Sequence, residues 1–453
     1  MLLPKKYPKM LDLTNKKITI LGARRSGLAL AKLVLQLKGN PRISDCGSEE
    51  SSSKDTREWI CKHNIPIEWG QHSKEFISES DYIVLSPAVP YGSSVVQWAK
   101  KEEIPVLGEI EFAFQFCRGK IIAVTGSNGK TTVVTLLRDV LHKAGCPVAL
   151  CGNIGYPFSE CVLDSKDDSY TVLEVSSFQL ESILGEDNCK RIENVERYHG
   201  IKGFKPHIAV LLNLSSNHLD RHKDIDDYRQ AKQRIFLNQE ANDYAVLPSD
   251  EAPWIELASA IKANVIYSKS SNDAEADAEN PNYRAVKKVA KILNISSSTC
   301  DEVFSSFRGI EHRLEWIRNL DGVEFINDSK STTAEATRWA LSRIPQPILI
   351  ICGGRDKNID MTVLRDRMGQ KVKVMYVIGE AREKITKIFS SVMPVVECDS
   401  LEAAVTQARG QAVEGDCILL SPMCASFDMF RNYEHRGEVF KHIVNGLVSS
   451  GDL

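Results

Sequence analysis

The residues best suited to chemistry lie in segment 121–132, which reads I-I-A-V-T-G-S-N-G-K-T-T. Its apolar half predicts a buried strand, and Gly126 and Gly129 predict a loop that leads into a helix. Glycines let backbone N–H groups face an anion, and a helix N-terminus favours negative charge. Lys130 would reach the outer phosphates of a nucleotide, and the hydroxyl of Thr131 would bind Mg²⁺. The segment therefore predicts a nucleoside triphosphate site.

One position departs from the strict phosphate-binding motif. Val124 stands where that motif has its first glycine. Apolar residues then recur with a period near 3.6 as far as Gly145, so a helix begins directly after the loop. A glycine followed by lysine can begin a helix by chance, but its place between a strand and a helix favours a nucleotide site.

Three further polar residues follow or interrupt apolar runs. Glu174 ends the run 170–174, where a buried carboxylate is costly unless it is paired or binds metal, and we favour metal over a structural role. His218 follows the run 208–214 and is interpreted as a second metal ligand. Asn153, in G-N-I-G, either belongs to a surface turn or contacts a ligand beside the phosphate loop.

The helical pattern at 227–236 contains Lys232. A lysine in a polar helix is usually solvated, so periodicity alone predicts that Lys232 lies on the surface.

The N-terminal segment has the outline of a dinucleotide-binding fold. Residues 17–22 predict a strand, and a second strand ends at Asp45, where an acid would bind ribose. The usual glycine fingerprint is altered to Gly22-x-Arg24-x-x-Gly27. Loss of the middle glycine argues against a redox dinucleotide, and Arg24 suggests a different phosphate ligand.

The composition resets near Gly309, where a third part of the chain begins. Its strands alternate with helices, which predicts another doubly wound sheet, and polar clusters follow the strands. The predicted strands cover 323–328, 347–354, 372–379 and 416–421. We therefore predict domains at residues 1–108, 109–309 and 310–453.

Composition is that of an ordinary globular protein. Of 453 residues, 43% are hydrophobic and 26% are charged, with a net charge of −3, so neither nucleic acid nor an anionic membrane is an expected partner. No apolar run approaches a membrane span, and no signal core precedes the first strand. The twelve cysteines form no C-x-x-C pair, which favours reduced thiols and a cytoplasmic location.

Nine short motifs occur in a characteristic order, and together they resemble the Mur ligase family, most closely its D-glutamate-adding members. The resemblance covers nearly the whole chain. The motifs are V-T-G-S-N-G-K-T at 124–131, G-N-I-G at 152–155, L-E-V-S-S-F-Q-L-E at 173–181, N-H-L-D-R-H at 217–222, Y-R-Q-A-K at 228–232, E-H-R at 311–313, N-D-S-K-S-T at 327–332, G-G-R-D-K-N at 353–358 and S-P-M-C-A-S-F-D-M-F at 421–430.

The resemblance implies an α/β enzyme with three domains. These are a Rossmann-like N-terminal domain for a UDP-sugar, a central P-loop ATPase domain with a mixed or parallel sheet, and a Rossmann-like C-terminal domain for an amino acid. The implied reaction uses ATP and two Mg²⁺ sites to join D-glutamate to UDP-N-acetylmuramoyl-L-alanine through an acyl phosphate. The resemblance also implies a monomer that is not inserted into a membrane.

The resemblance assigns roles to individual residues. Lys232 would be carbamylated, so that CO₂ converts its amine into a carboxylate that serves the metals. The implied catalytic residues are Lys130, Glu174, His218 and Lys232, and the metal ligands are Thr131, Glu174, His218 and Lys232. The implied ATP-binding residues are Gly126, Ser127, Asn128, Gly129, Lys130, Thr131, Thr132, Asn282, Arg313 and Asp328. The implied substrate-binding residues are Arg25, Ser26, Asp45, Asn153, Thr332, Lys357, Ser426 and Phe427.

Three departures from the family pattern leave open questions. Arg24 replaces a glycine, the second asparagine of the adenine-side motif is Ala285, and residues 186–206 form an insertion that is either a tolerated surface loop or a lid or contact surface. Other ligases of the superfamily, including folylpolyglutamate synthase, and a nucleotide-switched binding protein remain alternatives. The N-terminal Rossmann-like domain argues against a folate enzyme, and the third domain favours an enzyme with a second substrate.

Overall fold

The computed structural model describes residues 11–185, 201–214, 223–269, 280–307, 309–356 and 360–449. The chain divides into two compact units, Met1–Ser306 and Phe307–Leu453. No helix among the described residues is long and apolar enough to cross a membrane. The predicted domain boundaries after 108 and 309 stay predictions.

The first unit begins with a parallel five-stranded sheet of strand order β3-β2-β1-β4-β5, the arrangement of a Rossmann-like half. A short 3₁₀ turn, Glu49–Ser51, precedes its second helix. The strands are β1 (Lys17–Leu21), β2 (Asn40–Asp45), β3 (Ile67–Trp69), β4 (Tyr82–Leu85) and β5 (Val106–Gly108). The helices are α1 (Arg25–Gln36), α2 (Lys54–Lys62), α3 (Lys74–Ser78), α4 (Ser94–Lys101) and α5 (Glu109–Phe114).

A second sheet in the same unit has strand order β11-β10-β9-β6-β8-β7, and every adjacent pair is parallel. Its strands are β6 (Lys120–Thr125), β7 (Val148–Gly152), β8 (Tyr170–Glu174), β9 (Ile208–Leu211), β10 (Tyr244–Ser249) and β11 (Asn264–Lys269). Its helices are α6 (Lys130–Lys143), α7 (Phe158–Cys161), α8 (Ser177–Leu180), α9 (Ile225–Gln233), α10 (Trp254–Ser259), α11 (Pro281–Ile292) and α12 (Ser297–Ser306), with 3₁₀ turns at Val162–Asp164 and Arg234–Phe236.

Strand β6 lies between β8 and β9, and this position decides what surrounds the phosphate loop. Five of its six residues are buried, as the apolar run predicted. Carboxyl ends of parallel strands meet at one edge of a sheet, so the residues that end β8 and follow β9 flank the loop that follows β6.

Helix α5 joins the two sheets of the first unit through one continuous apolar core. It also carries Glu111, whose carboxylate is fully buried. One oxygen accepts the backbone N–H of Leu184 at 3.3 Å, and the other accepts that of Phe204 at 3.0 Å. The side-chain amide of Asn238 donates to the carbonyl oxygens of the same two residues. Two side chains thus fasten both ends of the predicted insertion, of which 186–200 lies outside the described residues.

The second unit contains a six-stranded sheet of order β12-β13-β17-β14-β15-β16. All its adjacent pairs are parallel except β12 and β13. Its strands are β12 (Glu315–Leu320), β13 (Val323–Asn327), β14 (Ile348–Gly353), β15 (Val372–Ile378), β16 (Val395–Glu397) and β17 (Cys417–Leu420). Its helices are α13 (Ala334–Arg343), α14 (Arg365–Lys371), α15 (Arg382–Phe389), α16 (Leu401–Gln411) and α17 (Tyr433–Gly446), with a 3₁₀ turn at Thr362–Leu364.

The α/β class and the parallel sheets predicted for the first two parts are confirmed, whereas the antiparallel strand β12 was not predicted. Its first five residues are exposed or half-buried without regular alternation and only Leu320 is buried, so β12 has no continuous apolar run. The pair Asp321-Gly322, with φ of 52° and 76°, makes the tight turn into β13. An Asp-Gly pair is a strong hairpin signal, and it could have identified this strand. The eleven described cysteines are free thiols.

The buried Glu111 should make stability depend on pH. Burial raises its pKa to about 8, above the ordinary 4.5. Between these values the unfolded chain has released a proton that the folded chain keeps, so the free energy of unfolding falls as pH rises. We expect Glu111→Gln to flatten this fall by up to about 1.4 kcal/mol per pH unit.

Denaturant unfolding of both proteins at pH 5 to 8 measures this difference in slope. The exposed Glu160→Gln is the control, and its slope should equal that of the natural sequence. Absolute stability of Glu111→Gln should be lower, because its amide nitrogen faces a backbone N–H donor. Equal slopes for Glu111→Gln and the natural sequence would contradict a raised pKa.

Candidate functional site

The phosphate loop of the first unit is held open by glycine at the N-terminus of α6. Gly129 caps this helix with φ of 83°, a left-handed conformation that a side chain disfavours. Lys130 folds back over the loop, and its Nζ donates to the carbonyl oxygens of Gly126 at 2.7 Å and Ser127 at 3.2 Å. The loop therefore presents a cation and a helix N-terminus to the same space, as an anionic phosphate requires.

Asn213, which the sequence interpretation missed, supports the loop from the end of β9. Its Oδ1 accepts the backbone N–H of Asn128 at 2.8 Å, and its Nδ2 donates to the carbonyl oxygen of Asn128 at 3.0 Å. This two-way bond fixes the tip of the loop. The position of Asn213 directly after an apolar run was the available signal.

Glu174 brings three sequence-predicted residues together. Its side chain is buried at the end of β8, next to β6. Oε2 accepts a hydrogen bond from Thr131 Oγ1 at 2.8 Å, and Oε1 accepts one from Asn153 Nδ2 at 2.9 Å. Carboxylate and hydroxyl oxygens are the ligands that Mg²⁺ prefers, so Glu174 and Thr131 together suit a magnesium ion.

Lys232 is buried, with 1% of its surface exposed, so the surface location predicted from helical periodicity is wrong. Helix α9 packs this face onto the phosphate loop, and Lys232 Nζ donates to Gly126 O at 2.9 Å and to Thr125 Oγ1 at 3.3 Å. Burial and, to a smaller extent, the charge of Lys130 together lower the pKa of Lys232 to about 7, and Glu174 opposes the shift. A large share of this amine is therefore neutral near pH 7.

Tyr228, one helical turn before Lys232, is a second residue that the sequence interpretation missed. Its ring lies 4.7 Å from Lys232 Nζ, and its hydroxyl is 3.1 Å from Ser127 Oγ. Burial raises the pKa of Tyr228, so its hydroxyl stays protonated at neutral pH. The four-residue spacing from Lys232, which puts both on one helix face, could have indicated it.

A cavity of about 210 Å³ opens beside the phosphate loop between the end of β9 and the start of α11. Asn282, predicted to contact ATP, lines it together with Asn213. Asn282 also lies against the loop, because a Cβ placed on Gly129 would be 2.4 Å from its Oδ1. Ala285, where the family pattern has asparagine, lines the same cavity and offers no polar group.

A cavity of about 610 Å³ lies at the carboxyl edge of the N-terminal sheet. Arg24 and Asp45 line it, but the Asp45 carboxylate already accepts the backbone N–H groups of Ala23 at 2.6 Å and Gly47 at 2.7 Å. Asp45 therefore shapes the glycine loop as well as facing the cavity.

A second opening of about 260 Å³ lies beside that cavity. Arg24, Arg25 and Ser26 line it from the first loop, and Asn153 lines it from the central sheet. The guanidinium of Arg25 also lies over the ring of Tyr156, 5.5 Å from its centre. Arg25, Ser26 and Asn153, three predicted substrate residues, thus line one space, and Asn153 also donates to Glu174.

The second unit holds the remaining predicted residues, of which Asp328 is fully buried. Its Oδ1 accepts the N–H of Leu314 at 3.2 Å, and its Oδ2 accepts Ser421 Oγ at 2.9 Å. Burial raises the pKa of Asp328 to about 6. Arg313 lies over the ring of Trp339, 5.4 Å from its centre. Asp328 therefore fixes the backbone next to Arg313.

The predicted amino-acid residues follow the strands of the second unit. Thr332 follows β13, and Ser426 and Phe427 follow β17, with Ser426 buried and Phe427 62% exposed. His218 and Lys357 lie outside the described residues. Their predicted roles therefore stay predictions.

Three domain models of one family match the chain. The model "Mur ligase MurD-like, N-terminal domain" matches residues 16–108. The model "Mur ligase middle domain" matches 124–314, and "Mur ligase, glutamate ligase domain" matches 312–424.

Relatives resemble the chain along nearly its full length. The UDP-N-acetylmuramoylalanine–D-glutamate ligase of Koribacter versatilis (strain Ellin345) is 36% identical over 468 residues, which cover 97% of this chain and 99% of that protein. The enzyme of the same name from Thermoanaerobacter sp. (strain X514) is 36% identical over 471 residues, which cover 96% of this chain and 100% of that protein. The crystal structure of UDP-N-acetylmuramate-alanine ligase MurC from Thermotoga maritima shares the fold. Its TM-score is 0.55 at 15% identity, and the match covers 95% of this chain and 99% of that one.

Substitution of Gly129 should damage nucleotide binding. A methyl group there would meet Asn282 and force a residue with φ of 83° into strain, so we expect Gly129→Ala to weaken binding of an ATP analogue at least about ten-fold. Gly145→Ala is the matched control, because Gly145 has φ of 76° and no atom within 4 Å of the added carbon.

The control should lose about 1 kcal/mol of unfolding free energy and keep its nucleotide affinity. Titration of a fluorescent ATP analogue, with thermal melting of each variant, separates the two effects. Unchanged affinity in Gly129→Ala, or equal losses in both variants, would contradict the assignment of this loop.

Proposed function

The chain belongs to the Mur ligase family, and from this membership we propose that it joins D-glutamate to UDP-N-acetylmuramoyl-L-alanine with cleavage of ATP. This is a step in the synthesis of peptidoglycan precursors. Its main support is the near-complete coverage by relatives that carry this name at 36% identity. Both the N-terminal and the glutamate ligase models match, which favours this reaction over folate chemistry.

The reaction proceeds in two displacements. A carboxylate oxygen of the L-alanyl group attacks the γ-phosphorus of ATP, which forms an acyl phosphate and releases ADP. The amine of D-glutamate then attacks the acyl carbon, loses a proton and expels phosphate as the amide bond forms. Little covalent chemistry falls to the protein, so positioning and charge neutralisation carry the catalysis.

The phosphate loop supplies the charge neutralisation. Its backbone from Gly126 to Gly129, followed by Thr131 and Thr132 at the start of α6, would surround the β- and γ-phosphates. Lys130 already lies within hydrogen-bond distance of the loop carbonyls and would exchange them for phosphate oxygens. The cavity lined by Asn282 suits the nucleoside, because it adjoins the loop.

Magnesium fits the oxygen atoms gathered beside this loop. We propose Thr131 and Glu174 as ligands, since their oxygens are buried 2.8 Å apart, with His218 and carbamylated Lys232 completing two sites. A bound Mg²⁺ would neutralise the charge that develops on the transferred phosphoryl group. Asn153, on the other oxygen of Glu174, would orient this carboxylate and contact the substrate.

The environment of Lys232 supports its carbamylation. A neutral amine attacks CO₂, forms an N–C bond and loses a proton, and a pKa of about 7 keeps much of this amine neutral. Lys130, which disfavours an ammonium at this position, would stabilise the carbamate anion. The modification thus replaces an amine whose protonated form Lys130 repels with an anion that Lys130 attracts.

The other predicted residues receive their roles from position within each unit. We propose Arg25, Ser26 and Asp45 for the uridine diphosphate group, because they line the two openings at the N-terminal sheet or shape its loop. Thr332, Lys357, Ser426 and Phe427 would hold D-glutamate, and Arg313 and Asp328 would serve ATP. We also propose that the protein is a cytoplasmic monomer.

Loss of the Lys232 amine should strongly reduce catalysis, and a small carboxylate should restore part of it. We expect Lys232→Ala to lose at least about 100-fold in kcat, because a group that supports transition-state charge is gone. Added acetate should restore part of this activity by occupying the vacated space as a carboxylate. Lys232→Arg is the matched control, since it fills the space and should not respond to acetate. Full activity of Lys232→Ala, or equal acetate responses, would contradict the role.

Phosphate release tests the reaction itself. We expect release from ATP in the presence of Mg²⁺ and UDP-N-acetylmuramoyl-L-alanine only when D-glutamate is added, with a product heavier by one glutamyl unit. L-glutamate is the matched control. Release with another amino acid would retain the ligase chemistry and discard the substrate. No release with any amino acid would favour a nucleotide-switched binding protein.

A further inference from the structure

Arg436 is the largest fully buried side chain among the residues that the structure describes. It lies in the first turn of α17, and its guanidinium reaches below the carboxyl edge of the second unit's sheet. An arginine is rarely buried without a carboxylate partner, because removing its charge from water is costly. Its surroundings therefore require an explanation.

Every nitrogen of this guanidinium contacts an acceptor oxygen. Nε donates to Ser329 Oγ at 3.0 Å, and Nη2 donates to Ser329 O at 2.9 Å and Cys424 O at 3.3 Å. Nη1 donates to Cys424 O at 3.2 Å and Gly353 O at 3.4 Å. These five contacts equal the five N–H donors of arginine, and all of the acceptors are neutral.

The acceptors belong to loops that follow three adjacent strands. Ser329 follows β13, Cys424 follows β17, and Gly353 ends β14, and the sheet order places β17 between the other two. One side chain therefore connects three strand ends across the middle of the sheet. Ser329 extends the connection, because its Oγ donates to Tyr433 O at the start of α17.

The same loops are packed against one another without room to adjust. The N–H of Met423 donates to Ser331 O at 2.9 Å, and that of Arg355 donates to Ala425 O at 2.9 Å. A Cβ on Gly354 would lie 2.1 Å from Ala425 O and 3.2 Å from Arg436 Nη1. A shift in one loop would therefore displace its neighbour.

These loops carry the residues proposed to hold the amino acid. Thr332 is three residues beyond Ser329, and Ser426 is two residues beyond Cys424. Short chain distances transmit the position of an anchored residue, so the guanidinium contacts fix where these side chains begin. D-glutamate brings two carboxylates, and these need donors held at a set separation.

The charge of Arg436 acts on the same edge. Burial lowers its pKa to about 10, with Cys424 and Asp428 opposing, so the group is still a cation at neutral pH. Among the described residues no carboxylate forms an ion pair or a hydrogen bond with it. A buried charge without a directly bonded carboxylate attracts an anion nearby more strongly than an exposed charge does.

We propose that Arg436 is a positioning residue for the amino-acid substrate, holding the three loops in register while its charge favours a dicarboxylate at this edge. The proposal rests on the proposed function, because it takes the amino acid to be bound there. Lysine cannot replace the guanidinium, since it offers one nitrogen and cannot span three loops.

The test compares Arg436→Lys with Ser329→Ala, which removes one acceptor and leaves the cation in place. We expect Arg436→Lys to raise KM for D-glutamate about ten-fold, with little change in KM for ATP and UDP-N-acetylmuramoyl-L-alanine. Ser329→Ala should raise the same KM about three-fold. A merely structural role would instead reduce kcat and thermal stability without this selectivity.

Arg318→Lys is the matched control. Arg318 Nη1 donates at 3.3 Å to the carbonyl oxygens of Val444, Asn445 and Leu447, at the opposite end of α17. It makes the same kind of contact to the same helix but lies away from the three loops. We expect its KM for D-glutamate to be unchanged even if its melting temperature falls.

The outcomes separate this proposal from the proposed function. Absence of D-glutamate-dependent activity in the natural sequence would defeat the proposed function. Activity in the natural sequence together with an unchanged KM for D-glutamate in both test variants would overturn the role of Arg436. If Arg436→Lys does not fold, Ser329→Ala decides, and a KM for D-glutamate equal to that of Arg318→Lys would overturn the role.

Discussion

A buried carboxylate must be hydrogen-bonded or paired with a cation, and Glu174 imposes this requirement on the first unit. Its two oxygens are met by Thr131 from the phosphate loop and Asn153 from the turn after β7. Three consecutive strands of the sheet, β6, β8 and β7, thus have their carboxyl ends joined through one side chain. The position of the phosphate loop is therefore fixed relative to the opening lined by Asn153.

Buried charge organises each unit in a different way. The first unit buries carboxyl groups, at Glu174 and Glu111, and satisfies them with backbone N–H groups and short polar side chains. The second unit buries the cation Arg436 and satisfies it with carbonyl oxygens. Glu174 and Arg436 each join segments that are far apart in the chain but end or follow neighbouring strands. Glu111 joins the two segments that flank the predicted insertion. Such groups cost stability, and they are tolerated where loop geometry must be specific.

The class of fold followed from local patterns, because apolar runs separated by helical periods specify parallel strands whatever their surroundings. The phosphate loop could also be predicted from local sequence, since its glycine, lysine and threonine residues lie within one turn. The burial of Lys232 could not be predicted from local sequence, because it depends on how α9 packs against the phosphate loop. The contributions of Asn213 and Tyr228 could not be predicted, because their partners Asn128 and Ser127 lie 85 and 101 residues away in the chain. The family motifs added what periodicity could not, because they predicted a catalytic role for Lys232.

The hairpin strand β12 also affects how the sheet of the second unit meets other molecules. An exposed strand edge offers unpaired N–H and C=O groups to which another chain can add. Here one edge is β12, whose register shifts between Trp316 and Arg318, and the other is β16, only three residues long. An irregular edge and a short edge are both poor templates for intermolecular strand addition. Both edges of this sheet therefore disfavour aggregation by strand addition.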